Sequence, residues 1–191
     1  MCYAGQYTQY VGRRMDNSPK YMFDTNVFNR ILDGVISLRM LTGRVVAFAT
    51  HIQRDEINNT KNPDRRASLA QVFGDVVAES PPTDSFVLGV SRLGEARLGG
   101  ERVVPTSSAV WDVSRRDQAK WGADDNFYSA LKSDLDRIKN KPNNVHDALI
   151  AETSIKRRYV LVTDDTDLAT VTKKYGGKCL SVCVLLLYCT S

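Results

Sequence analysis

The stretch Tyr21-Met22-Phe23-Asp24-Thr25-Asn26-Val27-Phe28 joins three residues suited to a buried strand to an acid, a hydroxyl and an amide. A helical pattern opens directly behind them, because Phe28, Ile31, Leu32 and Val35 fall at i, i+3, i+4 and i+7. In an open α/β sheet, ligands lie in the crevice beyond the carboxyl ends of the strands. Asp24 at such an end is held on a rigid element and aimed at the crevice. Taken alone, it reads equally well as a turn or helix-cap acid, since Asp and Thr favour both places.

The chain around this stretch repeats the same grammar. Gly43 stands where a helix would close, and Val45 to Ala49 is an unbroken apolar run ending at Thr50. Runs without alternation suit parallel strands buried on both faces. A second helix pattern begins near Thr50 to Gln53 and carries Asp55 and Glu56. Pro63 and Asp64 open the next helix, with Leu69, Val72, Phe73, Val76 and Val77 on one face and Pro81-Pro82 as its stop. The Gly-, Ser- and Arg-rich stretch at about 83–122, which includes Trp111 and Trp121, reads as an insertion. A helix from Asp124 to Asn140 follows, with Phe127, Leu131, Leu135 and Ile138 on one face. Asn143 or Asn144 caps another helix reaching about Arg157. Tyr159 to Thr163 is a strand, Asp164-Asp165-Thr166-Asp167 stand at its end, and a short helix runs from Leu168 to Gly176-Gly177. Lys178 to Leu186 reads as a last strand. This order predicts an α/β fold with a central parallel sheet and helices on both faces.

The 191 residues, 42% hydrophobic and 25% charged, fit one domain over 21–191 behind a polar arm or leader at 1–20. No apolar run approaches the length that spans a bilayer, so no membrane role is expected. The net charge of +4 permits a polyanionic partner without demanding one. Cys2, Cys179, Cys183 and Cys189 show no Cys-x-x-Cys pair, which argues against zinc and for reduced thiols in a cytoplasmic protein.

Acids fall at four element ends. Asp24 ends the first strand, Glu56 lies in the helix after the second, Asp147 is in the first turn of a helix, and Asp164, Asp165 and Asp167 follow a later strand. In a parallel sheet the strand ends and following helix starts share one edge. Asp147 joins the others if its own helix begins at that edge. Clustered carboxylates repel, so a cation is needed to keep them ionised together. Oxygen ligands of this kind suit Mg²⁺ or Mn²⁺, and such a cation fits phosphate chemistry. No phosphate-binding glycine loop or nucleophile elbow is present, and His51 and His146 lack a Ser or Cys partner.

These motifs resemble those of PIN-domain nucleases, and most of all the VapC-type ribonuclease toxins of toxin–antitoxin pairs. Phe23-Asp24-Thr25-Asn26 is similar to the first family motif, Thr50 through Glu56 to the second and Asp147-Ala148-Leu149-Ile150-Ala151 to the third. Leu161-Val162-Thr163-Asp164-Asp165-Thr166-Asp167-Leu168 is similar to the fourth. The resemblance implies a PIN-like three-layer α/β/α sandwich and a Mg²⁺- or Mn²⁺-dependent endoribonuclease. Asp24, Glu56, Asp147 and Asp165 would be its catalytic, metal-binding acids, with Asp167 a further candidate ligand. Thr25, Asn26, Thr163 and Asp164 would stand behind them, Asp164 where the family often has Asn or Arg. It also implies an RNA substrate, an antitoxin partner and a homodimer. The stretch between Glu56 and Asp147 is longer than in the compact toxins.

Each feature has a plainer reading beside it. Asp147 suits a helix N-terminus electrostatically. The 164–167 acids suit a solvated turn. Lys156, Arg157 and Arg158 are candidates for tracking RNA phosphates, yet a basic helix end also complements the helix dipole. Of Asp55 and Glu56, adjacent on a helix, only one faces the crevice, and Glu56 is the choice. The rival functions are a non-catalytic RNA- or partner-binding protein of the same fold and a structure-specific DNA nuclease. A phosphotransferase of the haloacid-dehalogenase class would need a second Asp where Asn26 stands.

Overall fold

The structure, a computed structural model, describes residues 19–97 and 126–190. Strand β1 (Lys20–Phe23) leads into α1 (Thr25–Leu32) and the single turn α2 (Leu38–Leu41). Next come β2 (Val46–Phe48), α3 (His51–Asn58), α4 (Pro63–Val76) and β3 (Val77–Glu79). After the undescribed part of the insertion follow α5 (Phe127–Ile138), α6 (Asn144–Lys156), β4 (Val160–Val162), α7 (Thr166–Lys174), β5 (Lys178–Leu180) and α8 (Val182–Thr190).

All five strands are parallel, in the order β3-β2-β1-β4-β5. Side chains alternate across the sheet, and the alternation divides the core into two layers. Tyr21, Phe23, Ala47, Ala49 and Val162 point to one side, where α1, α2, α4 and α8 cover them with Val27, Phe28, Leu41, Leu69 and Val182. Met22, Phe48 and Leu161 point to the other, against Leu131 and Leu135 of α5, Leu149 of α6 and Leu168 of α7. The expected parallel α/β sandwich with helices on both faces is the observed one.

Local chemistry sets the element starts. Thr50 caps α3 in a capping box: its hydroxyl accepts from the Ile52 N–H, and the Gln53 carboxamide reaches back to the Thr50 N–H at 2.9 Å. Asn62 caps α4 by accepting from the Arg65 N–H at 3.0 Å, with Pro63 in the first turn. Asn143 holds the N-cap position of α6, as expected, but its side chain makes no capping hydrogen bond. The Asn144 amide instead donates to Asp136 and to the Lys139 carbonyl, both at 2.8 Å, and so fastens α6 to the end of α5.

Three further sequence expectations need correction, and one element is not foreseen. Gly34, at φ +76°, turns the chain after α1, so Val35 leaves the helical stripe and is exposed, while Ile36 enters the core. The one-turn helix α2 has no sequence periodicity long enough to announce it. The helix expected to reach Val77 stops at Val76, and Val77–Glu79 pairs with β2 as an edge strand. The tail expected as strand Lys178–Leu186 is strand only to Leu180. Val182, Leu185 and Cys189 then bury one side of α8, and Leu187 and Tyr188 stay exposed. An apolar run of that length cannot be told from a helix by periodicity alone.

Of the insertion, residues 83–97 are described; 98–122, with Trp111 and Trp121, lie outside the described residues, as do 1–18 of the arm. Thr83 and Ala96 form a bridge, and Asp84 and Ser85 anchor this segment on the far half of α6. No helix among the described residues is long and apolar enough to cross a membrane.

Gly177, between α7 and β5, offers a test of packing. A Cβ there would lie 2.5 Å from Thr172 Cγ2, 2.7 Å from Ile155 Cγ1 and 2.9 Å from the Thr172 carbonyl oxygen. Gly177→Ala should therefore destabilise by about 1–3 kcal/mol through overpacking. Gly74, inside α4 with open space around it, should gain up to ~1 kcal/mol on the same change through helix propensity. Calorimetric melting of the two variants should show shifts of opposite sign.

Candidate active site

Strand order places the site. β2 and β3 lie to one side of β1, and β4 and β5 to the other. The crevice at a reversal of strand order is where open α/β sheets bind ligands, and here it opens between the carboxyl ends of β1 and β4. Asp24 follows β1, and its N–H continues the ladder to the Val162 carbonyl of β4 at 3.0 Å. Its carboxylate is buried, and three donors hold it. Oδ1 accepts from the Thr25 N–H at 2.7 Å; Oδ2 accepts from the Asn26 amide at 2.6 Å and the Thr163 hydroxyl at 2.7 Å. Thr163 Oγ1 in turn accepts from the Asp165 N–H at 3.0 Å. One hydroxyl thus ties the two strand ends together.

Glu56 reaches the same crevice from α3. It accepts from the Thr25 hydroxyl, and its other oxygen meets His146 Nδ1 at 2.9 Å. Adjacent Asp55 turns away and pairs with Arg92 at 3.1 Å. Helix α6 runs back to its strand with its first turn at the crevice, which brings in Asp147. Asp24, Asp165 and Glu56 all repel its carboxyl. Asp165 caps α7, accepting through Oδ1 from the Asp167 and Leu168 N–H groups at 2.8 and 3.1 Å. Its other oxygen lies 3.6 Å from the Lys141 ammonium, which is 3.4 Å from Asp167 Oδ2.

Burial and crowding show in the protonation of Asp24 and Asp147, which have no Lys or Arg nitrogen at ion-pair distance among the described residues. Burial pushes the Asp24 carboxyl up to about 6, against the pull of the Thr163 and Thr25 hydrogen bonds, and Glu56 and Asp165 add repulsion. Burial first, then Asp24, Asp165 and Glu56, push Asp147 up to about 7, with Lys141 opposing. His146 is raised by its hydrogen bond to Glu56.

Among the described residues, no three His, Cys, Asp or Glu side chains are grouped so as to hold a metal ion as they stand. Carboxylate oxygens of Asp24, Glu56, Asp165 and Asp167 are engaged with hydroxyls, amides, His146 and Lys141. The donor set itself is that of a hard divalent cation, with carboxylate oxygens only and an excess of negative charge.

Four sequence candidates, Asp164, Lys156, Arg157 and Arg158, fall outside this constellation. Asp164 accepts from the Val182 N–H at 3.1 Å and from Arg30 at 3.2 Å, so its side chain joins α1 to α8 rather than supporting the acids. Lys156 pairs with buried Glu152 at 2.8 Å, and Arg157 lies 3.4 Å from buried Asp84 and donates to the Pro82 carbonyl at 3.0 Å. Those two cations serve the interior, and with Arg158 they sit at the end of α6 opposite Asp147. Sequence reasoning missed Lys141 and the Gln53 amide, which donates to the Phe23 carbonyl at 2.9 Å and locks α3 to β1. The Thr50–Gln53 capping spacing signals the latter; a lone Lys before a proline signals nothing. Sequence alone also does not separate His51 from His146, whereas His51 is buried with neither ring nitrogen hydrogen-bonded and His146 meets Glu56.

The raised carboxyls fix a pH dependence. Both acids hold protons in the folded protein above 3.8, where the unfolded chain has lost them, up to about 6 for Asp24 and about 7 for Asp147. Their contribution to stability is complete below that window and is lost as pH rises through it. In chelator, the melting temperature of Asp147→Asn should fall less than that of the wild type between pH 5 and 8. Parallel curves would place Asp147 outside the repelling group.

No protein-family model matches the chain, and no curated protein matches it. Among solved structures, a chain in the crystal structure of VapBC2 from Rickettsia felis bound to a DNA fragment from their promoter is similar over 84% of this chain and 97% of that chain. The TM-score is 0.43 and the identity 14%.

Proposed function

We propose that this protein is a divalent-cation-dependent endoribonuclease of the PIN type, and the toxin of a toxin–antitoxin pair. The observation that carries the nuclease reading is the meeting of carboxylates from four separate elements at the point where strand order reverses. Two of them, Asp24 and Asp147, are raised by burial first and by repulsion from neighbouring acids second. The toxin assignment, its antitoxin partner, a homodimer and a cytoplasmic setting rest on the resemblance of the sequence motifs.

In this reading Asp24, Glu56, Asp147 and Asp165 hold Mg²⁺ or Mn²⁺, with Asp167 at the margin. The bound cation supplies Lewis acidity and an activated water for attack on a phosphodiester. Asn26 and Thr163 fix the orientation of the Asp24 carboxylate, and Thr25 and His146 do the same for Glu56, as partners behind metal ligands do. An open cleft of about 720 Å³, lined by Asp55, Asn58, Asn59, Ser91, Arg92 and His146, adjoins the acids through His146 and gives an RNA strand room. A single strand suits it better than a duplex, because its phosphates can be drawn into a recessed site. Cleavage by in-line attack of water would leave a 5′-phosphate and a 3′-hydroxyl.

A second reading is a non-catalytic RNA- or partner-binding protein of the same fold. The ammonium already lodged against Asp165 and Asp167 favours it. The two readings separate in a cleavage assay on single-stranded RNA with Mn²⁺ or Mg²⁺. Asp24→Asn and Asp165→Asn should each abolish most cation-dependent cleavage, since a neutral amide does not replace a charged ligand, while circular dichroism stays that of the wild type. Cation-dependent cleavage at the wild-type rate in both variants would remove these residues from the chemistry.

A further inference from the structure

Lys141 stands just before α6 on the segment that returns from α5, and its side chain is about one-third exposed. Its ammonium lies 3.6 Å from Asp165 Oδ2 and 3.4 Å from Asp167 Oδ2. Among the described residues, no other Lys or Arg nitrogen comes within ion-pair distance of Asp24, Glu56, Asp147, Asp165 or Asp167. The other arginines nearby are committed elsewhere, Arg30 to Asp164 and Arg92 to Asp55.

The acids therefore fall into two groups. Asp165 and Asp167 have an internal cation, and they also sit on the first turn of α7, whose exposed N–H groups favour negative charge. Asp24 and Asp147 have no cationic nitrogen at that distance. Two-metal nucleases hold their ions about 3.5–4 Å apart. The place beside Asp165 and Asp167 that a second ion would take is filled by an ammonium, a compact charge on a flexible stem.

Resting on the nuclease reading above, we propose that Lys141 stands in for a second metal ion, so that the site takes one divalent cation, on the side of Asp24 and Asp147, and offers the Lys141 ammonium to a non-bridging oxygen of the scissile phosphate. In the reaction the water oxygen forms the new bond to phosphorus, the bond from phosphorus to the 3′ oxygen breaks, and the water's proton is replaced on the 3′ oxygen through solvent. Lys141 keeps its own protons and donates a hydrogen bond to the phosphate as its charge grows.

The test counts ions. Mn²⁺ bound per folded chain is measured by electron paramagnetic resonance at saturation for the wild type, Lys141→Met and Lys141→Arg, with circular dichroism as the control for folding. Expected are one ion for the wild type and for Lys141→Arg, and two for Lys141→Met. On single-stranded RNA, at Mn²⁺ sufficient to fill one site only, Lys141→Met should lose about a hundredfold in kcat, the cost of removing one donor to the developing charge, with KM little changed, and Lys141→Arg should restore much of it; at saturating Mn²⁺ the second ion should recover part of the loss in Lys141→Met. Two ions in the wild type, or one ion and unaltered kcat in Lys141→Met, overturn the role given to Lys141 while leaving a nuclease. No bound Mn²⁺ in any of the three proteins overturns the nuclease reading itself, and this inference with it.

Discussion

A carboxylate buried at the floor of a crevice keeps its charge only if donors replace the water it has lost. Asp24 has three, from Thr25, Asn26 and Thr163, and the rest of the site depends on that arrangement. The Thr163 hydroxyl comes from β4 and the other two donors from the start of α1. The same hydrogen bonds that hold the acid therefore clamp neighbouring strand ends to each other. Gln53 adds a third strand to the clamp by capping α3 after β2 while reaching the last carbonyl of β1. Position in the sheet and chemistry in the crevice are one network.

The other end of α6 follows a different electrostatic rule. Glu152 and Asp84 are buried there, and their charges are answered by Lys156 and Arg157. Breaking such a buried pair by removing one partner is costly, because a charge is left without compensation. At the crevice end the opposite holds: charges of one sign are gathered with too few partners. One helix thus carries a neutralised pole and an uncompensated one, and only the second has unspent electrostatic energy with which to bind a ligand.

Much of this was legible in the sequence. The β1 stretch, the Thr50–Glu56 helix start and the 159–168 strand-to-helix passage carry strong local signals, and each lies where the parallel order of elements requires. Four acids at element ends could be read because strand ends and helix starts share an edge by topology. What stayed hidden depends on contacts between distant residues. Asp164 and Asp165 are adjacent, and nothing local says that one faces α8 and the other the crevice. Lys156 and Arg157 look like a surface patch until their buried partners, Glu152 and Asp84, are seen. Strand β3 is three residues continuing a helical pattern, and α8 is an apolar run short enough to suit either state. For β3, pairing with β2 overrode the helical preference; for α8 there was no clear local preference to override.

Helix α6 is buried without interruption from Ala148 to Ser154. Thr153 and Ser154 return their hydroxyls to carbonyls of their own helix, at 2.7 and 2.8 Å, so even its polar residues need no water. Such a segment has no partial opening available to it short of parting the whole layer from the sheet, and its amide protons would exchange with solvent only through that cooperative event. Asp147 rides on the first turn of this helix. Its freedom to move is therefore confined to rotation about its own side-chain bonds, and the backbone beneath it shares the lifetime of the folded state.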